Sequence, residues 1–111
     1  MKIIIPIVSA FAMVAVLSAG IAPRQSDAGR KVYERAKCAT CHQIDKRGNS
    51  RYPLDGVAAR LTPEQLRRWL TSPAEMEAAL PRMPALRMST MNYRWNRQEL
   101  DSLVAYLETL K

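Results

Sequence analysis

The residues with the most chemistry in this 111-residue chain lie together, in Cys38-Ala39-Thr40-Cys41-His42. The chain's two cysteines and its single histidine are all in that segment. Two thiols three residues apart on one helical turn share a face, and the imidazole that follows is a common metal ligand. Four chemistries use such a group: dithiol–disulfide exchange, a structural zinc, a plain disulfide, or thioether attachment of a haem. A thioredoxin-like site wants a βαβ context, and no strand-rich stretch follows. Zinc would find only Cys38, Cys41 and His42, one ligand short of the usual set. A disulfide between cysteines so close closes a very small loop and gains little stability. C-x-x-C-H is the attachment signature of c-type haem, in which both thiols add to one porphyrin and the next residue sets its imidazole under the iron.

The composition agrees with that reading. Hydrophobic residues make up 48% of the chain but aromatic ones only 6%, so the protein core is short of large side chains. A covalently held macrocycle would fill that space. The length suits one small domain, and a single histidine excludes both a multi-histidine catalytic centre and a Cys2His2 finger. Lys2, an apolar run from Ile3 to Leu17 and the small residues Ser18-Ala19-Gly20 describe a secretory signal peptide over 1–22. Cleavage is expected near Ser18/Gly20 or Ser26/Ala28, leaving a short leader over 23–28 and a domain over 29–111. The competing reading is a retained anchor, since the apolar stretch is about long enough to span a bilayer, and only then is membrane contact expected. Either way the domain is exported to the periplasm, where the haem is attached after translocation.

Helices joined by irregular loops must position the motif. A helix is expected over 28–37, with Val32, Tyr33 and Ala36 on one face. Gly48, Asn49, Ser50, Pro53 and Gly56 mark a long loop over 43–60. Three later helix starts share one pattern, with Thr62, Ser72 and Asn96 as N-caps three residues before Gln65, Glu75 and Glu99. The first two also place a proline at the first helical position. In the last helix Leu100, Leu103, Val104, Leu107 and Leu110 recur at helical spacing. No hairpin signal or repeat appears. The fold class is all-α.

The chain resembles a class I c-type cytochrome, of the bacterial monohaem kind, over nearly its full exported length. Gly29-Arg30-Lys31-Val32-Tyr33-Glu34, the haem motif, Tyr52-Pro53-Leu54-Asp55-Gly56-Val57 and Leu103-Val104-Ala105-Tyr106-Leu107 match the family in order. The resemblance implies three to five helices wrapped around one covalent haem c, held by thioethers from Cys38 and Cys41. It implies His42 as proximal iron ligand, with the Pro53 carbonyl holding its other ring nitrogen. Gly29 and Tyr33 would cross Leu103 and Tyr106 where the terminal helices pack. Two departures stand out: Tyr33 lies five residues before Cys38 where four is usual, and position 52 is Tyr where the family often has Gly.

The resemblance also implies a methionine as sixth ligand, since a soft thioether favours ferrous iron and raises the potential. Met83, in Pro81-Arg82-Met83-Pro84 and ten residues after Pro73, is the first expectation. Met91 and then Met88 are the alternatives, being closer to the usual distance before Tyr106. Met76 is expected to be packing. Trp69 is expected in the core, and Tyr93 and Trp95 either reach a haem propionate or cover the haem edge.

The formal charge is +7, from 17 basic and 10 acidic residues. Lys37, Lys46, Arg47, Arg51, Arg60, Arg82 and Arg87 are expected around the haem opening, where they would steer an acidic redox partner. Nucleic acid is a poor fit, because the basic residues are scattered and not interleaved with aromatics. The function expected is single-electron transfer between redox enzymes, Fe(III)/Fe(II), without catalysis at the iron. The chain could equally serve as the electron-accepting or structural haem subunit of one enzyme. The alternative is a five-coordinate haem that binds a small gas or peroxide.

Overall fold

The computed structural model describes residues 2–4 and 23–111. The segment expected to be a signal peptide or anchor, 1–22, lies outside the described residues except for 2–4. No described helix is long and apolar enough to cross a membrane.

Among the described residues five α-helices carry the fold: α1 Pro23–Arg35, α2 Val57–Arg60, α3 Pro63–Thr71, α4 Pro73–Ala78 and α5 Arg97–Glu108. Helix α1 starts five residues before the position expected from its periodicity, because Pro23 suits a first helical turn and no breaker follows it. Its packing against α5 is the main contact between helices. Gly29 makes that crossing close. A Cβ there would run into the Ser102 carbonyl oxygen and come within 2.6 Å of the Tyr106 Cβ. The Tyr33 and Tyr106 rings meet edge-on, with centroids 5.7 Å apart. The extra residue between Tyr33 and Cys38 is absorbed after the helix ends, where Lys37 takes a left-handed conformation (φ 58°). The tyrosine therefore keeps its place on α5.

Helix α3 opens with the expected capping box. Thr62 Oγ1 accepts from the Gln65 N–H at 3.2 Å, and Gln65 Oε1 accepts from the Thr62 N–H at 2.9 Å. Asn96 caps α5 without the reciprocal backbone bond, its side chain accepting from the Glu99 N–H at 2.8 Å. Ser72 makes no side-chain cap, since it also ends α3 by donating its N–H to the Arg68 carbonyl. Leu103, 1% exposed, lies at the centre of a core with Val32, Tyr33, Val57, Leu66, Leu70, Val104 and Leu107.

The stretch expected as plain loop over 43–60 contains α2 and a small sheet: β1 His42–Ile44, β2 Arg47–Gly48 and β3 Tyr52–Pro53. β1 pairs antiparallel with β2 and parallel with β3. Asp45 and Lys46 both have positive φ (48° and 63°), which makes a two-residue hairpin turn without the usual glycine. That is why no hairpin signal shows in the sequence.

Candidate haem site

Cys38 and Cys41 lie at the start of a 3₁₀ turn, Cys38–Thr40, and at the residue that ends it. Residues three apart eclipse in such a turn, so the two thiols share a side. Neither forms a disulfide. Asn49 staples the turn: its N–H donates to the Ala39 and His42 carbonyls, both at 3.0 Å, and its Nδ2 donates to the Thr40 carbonyl at 3.0 Å. Gly48 (φ 99°) lets the hairpin approach, since a Cβ there would strike the His42 carbonyl oxygen. The Gly48-Asn49 pair signals a loop in sequence, but the stapling depends on contacts across the sheet.

His42 Nδ1 lies 2.8 Å from the Tyr52 carbonyl oxygen. A carbonyl can only accept, so the proton is on Nδ1 and the Nε2 lone pair is free for a metal. The acceptor is not Pro53, as the resemblance implied. The parallel pairing sets His42 opposite Tyr52 and Gln43 opposite Pro53, and Leu54, the first residue after the proline with an N–H, donates to the Gln43 carbonyl at 2.8 Å. Burial pushes the His42 pKa down, against the opposing pull of the Tyr52 bond. Burial likewise pushes the Cys38 thiol up to about 11. The site thus favours a neutral imidazole.

These residues open on one cavity of about 370 Å³, whose walls include Tyr33, Leu54, Val57, Leu66, Trp69 and Leu103. The Tyr33 hydroxyl is the one buried side-chain polar atom among the described residues without a partner. Burial, with Cys38, Tyr106 and Asp55 nearby, raises its pKa to about 12. An apolar cavity with two free thiols, a neutral imidazole and an unanswered hydroxyl on its wall suits a covalently attached haem.

The methionines fall differently from the first expectation. Met83 is not among the cavity-lining residues; exposure does not separate it from Met91, since the two are 49% and 50% exposed. Met88 and Met91 do line the cavity, at either end of a second 3₁₀ turn, Met88–Met91. Spacing to Pro73 misleads because residues 79–87 form an irregular excursion that carries Met83 outward. The three-residue offset of the 3₁₀ turn puts Met88 and Met91 on one face. Met76 is half-buried and outside the cavity lining.

Trp95 and Tyr93 both line the cavity, and their polar atoms bond to the protein. Trp95 Nε1 donates to the Leu70 carbonyl at 3.0 Å and Tyr93 Oη donates to the Ala36 carbonyl at 2.7 Å. Their rings stack at 4.9 Å, which ties the segment before α5 to α3 and α1. Trp69 is a cavity wall residue, not plain core. Tyr52, unlike a glycine, also reaches the far side, where its hydroxyl accepts the Leu86 N–H at 3.2 Å. The seven basic residues expected near the opening are all exposed, and two of them, Lys37 and Arg87, line the cavity.

A helical shell around one apolar cavity, with C-x-x-C-H on its wall, defines a protein built to hold covalent haem. The cytochrome c family model matches residues 26–111, and the chain belongs to that family. Its cofactor is covalently attached haem c and its general function is haem-based electron transfer. No match was found among curated proteins or among solved structures.

Proposed function

We propose that the chain is an exported, periplasmic monohaem electron carrier in which His42 and a methionine of the Met88–Met91 turn would hold the iron of haem c, and that it is not itself an enzyme. The observation that carries this reading is that His42, Met88 and Met91 line the same cavity as Cys38 and Cys41. When bound, haem c supplies a one-electron Fe(III)/Fe(II) couple. Cys38 and Cys41 hold it by thioether bonds. The Tyr52 carbonyl keeps the His42 proton on Nδ1, orients the ring and makes Nε2 a better donor. The Met88–Met91 turn supplies the thioether, which stabilises the ferrous state. The mostly apolar walls would leave little solvent to reorganise around the bound haem when charge moves. Exposed arginines and lysines near the opening favour an acidic redox partner, whether met by diffusion or within one enzyme complex.

The test is spectroscopic. The ferric holoprotein should show the near-infrared thioether-to-iron band, and the ferrous form should bind CO slowly. Met88→Ala and Met91→Ala, made separately, identify the ligand by which one loses the band. Met83→Ala should keep it. A wild-type protein with no band and rapid, tight CO binding would establish a five-coordinate gas- or peroxide-binding haem instead.

A further inference from the structure

Glu77 is the one buried charged residue among the described residues, at 1% exposure. A lone carboxylate in such a place is costly unless its oxygens are answered. Here they are. The Ser89 N–H donates to Oε1 at 2.9 Å, the Ser89 hydroxyl donates to Oε2 at 2.8 Å, and Arg87 Nε donates to Oε2 at 3.1 Å. All three donors belong to the two residues that flank Met88. The carboxylate, presented from α4, therefore grips the chain on both sides of the residue that opens the Met88–Met91 turn.

Beyond that clamp, Met88 packs against the hydrophobic core, and the turn has few bonds of its own. It is four residues long, has no side-chain N-cap and contains no fully buried residue, and Asn92 leaves it in a left-handed conformation (φ 51°). Thr90 bonds only locally, through its N–H and hydroxyl to the Arg87 carbonyl. Glu77 also lines the haem cavity itself.

We propose that Glu77 is a positioning residue for the sixth iron ligand: its carboxylate fixes the Met88–Met91 turn against the cavity so that a thioether stays within reach of the iron. This rests on the reading that the turn supplies that ligand. Charge-assisted hydrogen bonds to a buried carboxylate are among the strong ones, and two chain neighbours clamped at once leave the intervening backbone little freedom. Glutamine keeps the size of the side chain but turns an acceptor oxygen into a donor facing Arg87 or Ser89.

The experiment compares wild-type, Glu77→Gln and Ser89→Ala holoproteins. Each is read by the near-infrared band, by the rate of CO binding to the ferrous form and by the covalent haem content. Glu77→Gln should keep its haem, lose most of the band and bind CO at least about tenfold faster, the lower end of what one lost hydrogen bond to a charged group gives. Ser89→Ala leaves the carboxylate and two of its donors in place, so it should show the same change to a smaller degree. If Glu77→Gln does not yield holoprotein, Ser89→Ala carries the test. A Glu77→Gln or Ser89→Ala protein with wild-type band and CO rate overturns the proposal. A wild type that itself lacks the band overturns instead the six-coordinate reading on which it rests.

Discussion

At the scale of single residues, the haem motif is legible because its chemistry is consecutive: Cys38, Cys41 and His42 need no fold to be recognised. The partners of these residues are less legible. The acceptor for His42 shifts from Pro53 to Tyr52 with one step of strand register, and a single sequence does not show register. Glu77 shows the limit most clearly. It sits in a short, polar-looking helix, and only Arg87 and Ser89, ten and twelve residues on, make its burial tolerable. Burial raises its pKa, but the Ser89 N–H and hydroxyl and the Arg87 guanidinium outweigh that and hold it below the ordinary carboxylate value. A carboxyl with a depressed folded pKa stabilises the fold above its unfolded pKa, and that stability is lost as pH falls through the folded one. Thermal unfolding midpoints should therefore drop on acidification through and below the ordinary glutamate range. Glu77→Gln should have a lower midpoint at neutral pH and a flatter acid limb, and an acid limb as steep as wild type would assign the titration to other carboxyls.

At the scale of elements, patterns that repeat along one segment are the ones that carry through. The capping box at Thr62, the Asn96 cap and the apolar face of α5 depend on neighbours within a turn or two. The hairpin at Asp45-Lys46 hides because ordinary residues take positive φ there, a cost that the surrounding contacts of Gly48 and Asn49 offset. The α1–α5 crossing rests on one missing side chain. Gly29→Ala must push the helices apart or bend one of them, because the obstruction is the Ser102 carbonyl and not a movable side-chain end. Overpacking of this kind costs about 1–3 kcal/mol, so the thermal midpoint of the holoprotein should fall by several degrees, with the haem motif and its spectrum intact. An unchanged midpoint would mean that the crossing has slack that the static contacts do not show.

At the scale of the whole molecule, the proposal of an acidic redox partner rests on charge and cavity together. The formal charge of the whole sequence is +7, Lys2 of the expected signal peptide included, and of the basic residues expected around the opening Lys37 and Arg87 line the cavity; the proposed steering of an acidic partner rests on these. Arg87 contributes less than its position suggests, since it is paired with buried Glu77. Fields of this sort are screened over about 10 Å at 0.1 M salt. Reduction or oxidation by a small anionic complex should therefore slow as ionic strength rises, and the same reaction with a cationic complex should quicken. Rates independent of salt for both reagents would remove the steering argument and leave the basic residues as a solvated surface.

By itself, the sequence determined the cofactor and its anchoring residues, the helical class and the caps of α3 and α5. Each of these is written in residue types at short spacing, where local chemistry decides. Only the tertiary structure decided which methionines line the cavity, which carbonyl holds His42, that Trp95 and Tyr93 hydrogen-bond to the protein from the cavity wall, and that Glu77 grips the residues on either side of Met88. Those outcomes depend on how an irregular segment folds back across the cavity, and nothing local along the chain encodes that distance.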